Sequence, residues 1–361
     1  MVRKGEETAL GDSVTSLERW LSDRVGAVGA VEVTDVASMS TGYSAETISL
    51  RASYDGGSGP QERRLILRRE SPGPAVYPQQ APGFDVEVDI QHRVMSALGE
   101  GTGIPLAPVL GYESSPDVVG APFFVMDFVE GEVPRVWPSY AQEGFFAEAS
   151  PSQRHGMIED GIGVLAELHT LDWDRHGLGW LLPEGEAPTG RRQLRIWHDF
   201  AVRELNGREH PLISEAVSWL ESNSPEHDPA SVTMLWGDPR PGNMIWDDFR
   251  CVCVTDFEAA AVGPFLTDLG WWLMFDRCSH EQSEATRLEG EPTREAQAEM
   301  YFKASGRAPQ PTEWYEIFAA FRYSAIVVRV ANRSVERGLM SADNNLWLDN
   351  PATSCLKSLM V

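Results

Sequence analysis

Strand-like patterns run through Val31-Glu32-Val33 and Glu46-Thr47-Ile48-Ser49-Leu50-Arg51 and through the apolar triplet of Arg64-Leu65-Ile66-Leu67-Arg68, with Gly42 and Asp55-Gly56-Gly57-Ser58-Gly59-Pro60 between the runs. Period-two segments separated by Gly, Pro and Asp predict an antiparallel meander. From Phe84 to Gly99 the period lengthens. Apolar positions 86, 90, 94 and 97/98 share one face of a helix, with Asp85 the expected N-cap and Gly99 the stop. Val109-Leu110-Gly111-Tyr112 and the run from Pro122 to Val129 predict two further strands, the second broken by Glu130-Gly131. Beyond it Ile158, Ile162, Leu165 and Leu168 recur at spacings of three and four, and Trp197 to Leu205 and Ile213 to Leu220 are also helical in pattern. A strand-rich first third before a helix-rich remainder predicts an α+β chain: an extension or helix over 1–30, a small antiparallel sheet with one helix over 31–128, and a mainly helical part over 129–361, with the seam near Phe128 to Gly131. Val2 to Ser16 and the end beyond Ser341 are weakly patterned and are expected to be loose.

The 361 residues are 42% hydrophobic and 23% charged, an ordinary globular balance that speaks against disorder. Fifty-four acidic side chains face 30 Lys and Arg, for a formal net charge of −24, so no positive field is available for a polyphosphate backbone and nucleic acid is not the expected partner. Cys251, Cys253, Cys278 and Cys355 follow no disulfide-rich or zinc-type spacing and are expected to be free thiols. Met1-Val2-Arg3-Lys4-Gly5-Glu6-Glu7 lacks the apolar core of a signal peptide. No stretch reaches the roughly 20 apolar residues of a membrane span, and a cytoplasmic protein is expected.

The chemistry concentrates in Leu235-Trp236-Gly237-Asp238-Pro239-Arg240-Pro241-Gly242-Asn243-Met244-Ile245-Trp246, followed by Val252-Cys253-Val254-Thr255-Asp256-Phe257-Glu258. Asp238 and Asn243 stand five apart in a Pro- and Gly-rich loop, Asn243 leads into an apolar strand, and Asp256 ends the next one. A hairpin built this way brings a carboxylate, a carboxamide and a second carboxylate together at its ends. Phosphoryl transfer calls for that set: one carboxylate to accept the proton of the attacking hydroxyl, and an Asn with an Asp to hold Mg²⁺ against the phosphates. Turns that merely cap a hairpin use the same residue types, so the joint spacing carries the reading, and no one residue does.

These segments resemble the catalytic loop and metal-binding segment of the aminoglycoside phosphotransferase-like family, within the wider fold shared with choline kinases and protein kinases. The resemblance extends over roughly Ser38 to Arg329. It implies a two-lobed protein-kinase-like fold, with nucleotide held by the 31–128 lobe, catalysis and acceptor binding in the 129–361 lobe, and Mg²⁺ with ATP or GTP between them. It also implies that Asp238 is the catalytic base and that Asn243 and Asp256 are the Mg²⁺ ligands. Gly42, Tyr43 and Ser44 resemble the loop over the nucleotide phosphates, and Arg68, with Arg69 as alternate, the strand cation that grips them. Phe123 to Gly131 resembles the hinge, whose backbone at Asp127 and Val129 would meet the purine edge. The implied activity is transfer of a γ-phosphate to a hydroxyl of a small molecule.

Two positions depart from the family pattern. Gln91 stands where the helix normally supplies a carboxylate to the strand cation, with Glu87 one turn earlier on the same face. Trp236 occupies the place of the usual His before Gly-Asp, as in a Trp-Gly-Asp branch whose members occur beside acyl-CoA dehydrogenases. By the same resemblance Asp268 braces the catalytic loop, while His169, at a helix end, reads as a packing residue. The tryptophans read mostly as core. The acids Asp199, Glu313 and Glu316 would suit an amine-bearing acceptor, whereas the tryptophans and the Trp-Gly-Asp branch favour a partly apolar one such as a hydroxyacyl thioester. Two rival readings use the same fold: a degenerate nucleotide- or metabolite-binding protein without turnover, and a nucleotidyl transferase.

Overall fold

The structure is a computed structural model that describes residues 10–39 and 45–361. The chain divides into two compact units. The first takes in the described part of Met1–Ala75, with Gly83–Thr102 and Leu106–Glu130; the second comprises Val76–Pro82, Gly103–Pro105 and Gly131–Val361.

In the first unit α1 (Val14–Ser22) precedes a sheet of β1 (Glu32–Ser38), β2 (Glu46–Asp55) and β3 (Pro60–Arg69). After α2 (Glu87–Gly99), β4 (Val109–Glu113) and β5 (Phe123–Asp127) complete five antiparallel strands in the order β1-β2-β3-β5-β4. Alternation sorts the side chains. Ile48, Leu50, Leu65, Leu67, Phe123 and Val125 pack with Leu17, Trp20 and Leu21 of α1 in one buried cluster. Ile66 and Phe124 face the other way, and Phe124 meets His92 of α2 with ring centroids 6.3 Å apart. The pattern therefore orients the two strand arginines differently. Arg68 follows Ile66 on the α2 side, whereas Arg69 pairs with Glu46, its Nε 2.8 Å from Oε2.

Helix α2 begins at Glu87 and not after an Asp85 cap: its N-cap is Val86, and the Glu70 carboxylate reaches over from the end of β3 to accept from the Val88 N–H at 3.0 Å. A side chain distant in sequence thus does the work assigned to a local cap.

The second unit holds α3 (Phe145–Glu148), α4 (Pro151–Leu168), α5 (Gly190–Leu205) and α6 (Pro211–Ser222), then β6 (Val232–Leu235), β7 (Met244–Asp247), β8 (Arg250–Val254) and β9 (Ala261–Pro264). After these come α7 (Leu266–Arg277), running into a π-turn at Cys278–Gln282, α8 (Arg294–Ser305), α9 (Glu313–Glu336) and α10 (Pro351–Leu359). β7 and β8 form the expected hairpin, turned by Asp248 and Phe249 at φ 44° and 61°, and β6 pairs antiparallel with β9. α9 is the central helix: Trp314, Phe318, Phe321, Ala325 and Val328 form one buried stripe, and Ala319, Ala320 and Ala331 are buried on its other faces. The end beyond Ser341 is not loose throughout. Asn350 caps α10 through a reciprocal bond with Thr353, and Ala352, Cys355 and Leu356 are buried. The four cysteines are free thiols. Among the described residues no helix is long and apolar enough to cross a membrane.

Candidate active site

β6 delivers the chain into Trp236-Gly237-Asp238, and α7 catches it. Asp268, in the first turn of α7 and 0% exposed, accepts from the Trp236 N–H at 2.7 Å through Oδ2 and from the Gly237 N–H at 3.1 Å through Oδ1. His169 Nε2 lies 3.2 Å from Asp268 Oδ2, and the other ring nitrogen lies 2.6 Å from the Tyr301 hydroxyl. His169 is thus buried in a hydrogen-bonded network, in line with a packing role. Gly237 is required where it stands. Its φ is 94°, and a Cβ there would lie 2.1 Å from the Ala259 carbonyl oxygen.

Trp236 supplies a bridge of its own. Its indole Nε1 donates to the carbonyls of Thr255 and Asp256, at 2.8 and 3.2 Å. The catalytic-loop segment is thereby tied to the segment that carries the second carboxylate.

Asp238, 5% exposed, is surrounded by donors. Asn243 Nδ2 donates to its Oδ2 at 2.8 Å and to its main-chain carbonyl at 3.0 Å. Trp271 Nε1 donates to Oδ1 at 2.6 Å, and Arg240 Nε lies 3.1 and 3.3 Å from the two oxygens. The Tyr77 hydroxyl lies 3.4 Å from Oδ2. The five-residue spacing works because a short turn at Pro241–Asn243, closed by Asn243 N–H to Arg240 C=O at 3.0 Å, folds the carboxamide back onto the carboxylate. Thr255 then donates from both its N–H and its hydroxyl to the Asn243 carbonyl, each at 3.0 Å, which brings Asp256 alongside. Asp256 adopts φ 60°, a left-handed conformation that Asp tolerates better than most residues.

The electrostatics follow from burial. Burial pulls the Arg240 guanidinium down, but Asp238, Tyr77 and Asp256 outweigh it and hold the group charged above its ordinary value. Burial pushes the Tyr77 hydroxyl well up, and Asp238, Glu258 and Asp256 add to that, so Tyr77 remains a proton donor. With its nitrogen committed to Asp238, Asn243 has its amide oxygen to offer a cation. That oxygen and the Asp256 carboxylate are hard donors of the kind Mg²⁺ takes, so the donor chemistry fits the expected ion.

The remaining expected site residues lie in the first unit. Arg68 donates to the Thr47 hydroxyl at 2.9 Å. Gln91 is buried, and its Nε2 has no hydrogen-bond partner among the described residues; Glu87 is also buried. The Asp127 N–H is committed to Pro108 C=O at 2.9 Å and its carboxylate to Arg63; Val129 is half-buried just past β5. Gly42, Tyr43 and Ser44 lie outside the described residues. Sequence reasoning missed Tyr77, which belongs to an excursion of the chain into the second unit, and the bond from Trp271 to Asp238, since the tryptophans of the helical half suggest ligand stacking or, for most of them, core. No local signal marks either one.

A model of the phosphotransferase enzyme family matches residues 42–315, and the chain belongs to that family. It is 23% identical to a protein from Ralstonia eutropha assigned as an aminoglycoside phosphotransferase, with a TM-score of 0.68 and coverage of 96% of this chain and 95% of that one. Choline kinase from Cryptosporidium parvum, 12% identical, aligns with a TM-score of 0.55 over 90% of this chain and 87% of its own. At these identities the likeness establishes the fold, which is the kinase-like α+β fold. Among curated proteins the chain is 27% identical over 77% of its length to a probable acyl-CoA dehydrogenase of Arabidopsis thaliana, and 25% identical over 92% to acyl-CoA dehydrogenase family member 11 of Rattus norvegicus. It spans only 34% and 41% of those two proteins.

Proposed function

We propose that this chain is a Mg²⁺-dependent phosphotransferase that moves the γ-phosphate of ATP or GTP to a hydroxyl of a small molecule. The observation that carries the reading is the joined set of Asp238, Asn243 and Asp256, buried or half-buried and tied together through Trp236 and Thr255. Asp238 orients the acceptor hydroxyl and takes its proton, and the donors around it keep the carboxylate in one rotamer. Arg240 holds positive charge beside the reacting oxygens. Arg68 grips the α- and β-phosphates together with Gly42, Tyr43 and Ser44, with Glu87 or Gln91 steadying it, and the main chain at Asp127 and Val129 meets the purine. Asn243 and Asp256 hold the ion, whose chemistry when bound is to offset charge on the phosphate oxygens.

Solved relatives support nucleotide use: an aminoglycoside phosphotransferase of this fold has been captured with AMP-PNP and hygromycin B. The acceptor class is open to assay with aminoglycosides and hydroxyacyl thioesters as the two arms, the second suggested by the names of the curated relatives. The first experiment is thermal unfolding of wild type and Asp256→Ala with and without Mg²⁺, ATP and GTP. Saturation at about 100 times the dissociation constant stabilises by roughly 2.7 kcal/mol, a rise of several degrees. A magnesium-dependent rise in wild type that is lost in the variant supports the reading, and none with either nucleotide overturns it. In the transfer assay Asp256→Asn should abolish turnover while the protein stays folded. The product mass then separates an added phosphoryl group from an added nucleotidyl group.

A further inference from the structure

We propose that Trp271 and Arg322 are positioning residues that fix the Asp238 carboxylate and its loop, a device that rests on the phosphotransferase reading above. α7 touches the loop twice from one face. Asp268 receives the N–H groups of Trp236 and Gly237, and Trp271, three residues on and therefore its neighbour on the helix surface, donates its indole N–H to Asp238 Oδ1 at 2.6 Å. Backbone and side chain of the loop are thus registered to the same helical turn.

Arg322 of α9 supports this arrangement from behind. Its guanidinium carbon lies 4.4 Å from the Trp271 ring centroid and 4.7 Å from that of Trp197, so the cation is layered between two indoles. One terminal nitrogen donates to the Gly237 carbonyl at 2.7 Å, while Nε is buried without a hydrogen-bond partner among the described residues. The side chain is 2% exposed, and burial lowers its pKa to about 10, against the pull of Asp268 and Asp238. A buried guanidinium with no carboxylate bonded to it among the described residues is costly. What it gains is the position: it pins the Trp271 ring at the angle that aims the indole N–H at Asp238, and it holds the carbonyl between Trp236 and Asp238. Neither residue needs to touch substrate. Both act through Asp238, whose other neighbours are Arg240, Asn243 and Tyr77.

The test compares Trp271→Phe, Arg322→Met and Arg322→Lys with wild type in steady-state transfer and in ¹H–¹⁵N spectra of the tryptophan indoles with Mg²⁺ and nucleotide. Trp271→Phe keeps an aromatic face for Arg322 to stack on while removing the N–H together with the pyrrole ring that carries it, so it remains informative if Arg322→Met fails to fold. The expected result is a fall in kcat of about ten- to hundred-fold in Trp271→Phe and Arg322→Met, with nucleotide KM within about twofold of wild type and partial recovery in Arg322→Lys. The indole resonance absent from Trp271→Phe should be displaced by both Asp238→Asn and Arg322→Met. A kcat within twofold of wild type in Trp271→Phe, or an indole resonance insensitive to Asp238→Asn, overturns the proposal. If the resonance responds as expected but wild type transfers no phosphate to any acceptor and shows no nucleotide-dependent stabilisation, the phosphotransferase reading fails and the positioning contact survives.

Discussion

Replacing Asp268 by Ala tests whether one buried carboxylate organises the catalytic loop. The side chain is 0% exposed and accepts from two main-chain N–H groups at 2.7 and 3.1 Å, with His169 Nε2 at 3.2 Å. Hydrogen bonds to a charged group contribute about 1.5–3 kcal/mol each, and a donor left buried without a partner costs about 1–3 kcal/mol. The contributions are not additive, because water entering the vacated space satisfies part of the set, so a net loss of about 3–5 kcal/mol is expected. For a unit of this size that lowers the melting temperature by roughly 6–20 °C. Circular dichroism melts, with transfer kinetics measured well below the midpoint, provide the assay. Asp268→Asn should recover part of the stability, since its amide oxygen can serve one N–H while its nitrogen opposes the other. A melt for Asp268→Ala within 2 °C of wild type, taken with unchanged turnover, refutes the assignment of Asp268 as the brace.

Trp236→Phe removes both indole contacts to the Thr255 and Asp256 carbonyls, and should cost about 1–2 kcal/mol while weakening the magnesium-dependent nucleotide shift. Thermal shift with and without Mg²⁺ checks it, and an undiminished shift counts against the bridge. Gly237→Ala forces a Cβ to within 2.1 Å of a carbonyl oxygen at φ 94°, so the loop must move; soluble protein with full activity would contradict the geometry. His280 lies in a buried network, with Nδ1 2.7 Å from the Asp276 carbonyl and Nε2 2.9 Å from Glu291 Oε1, beside Arg287, Arg294 and Tyr140. Burial alone would lower its pKa, but the Glu291 and Asp276 carboxylates outweigh it and raise the pKa. A raised folded value means that its stabilisation is complete below the ordinary value of about 6.5 and is lost as pH climbs through the raised one. The melting-temperature gap between wild type and His280→Gln should therefore be wider at about pH 6 than at about pH 8.5, and a gap independent of pH would sink the assignment.

Where chemistry depends on short spacing, the chain order alone was informative. Asp238 and Asn243 meet because the four residues between them, two prolines and a glycine among them, turn one onto the other, and the β7–β8 hairpin returns Asp256 to the same place. Alternation in β3 distinguishes Arg68 from Arg69, since period two is a property of the strand itself. Other features arose only from packing. Glu70 caps α2 in place of Asp85, and Tyr77 reaches Asp238 through an excursion of the chain, because a hydrogen bond needs proximity in space and leaves no trace in spacing. Trp271 and Arg322 look in the sequence like any residues of buried helices. Their consequence comes from the direction in which α7 and α9 present them, and side-chain direction is decided by how helices pack and not by which residues they contain.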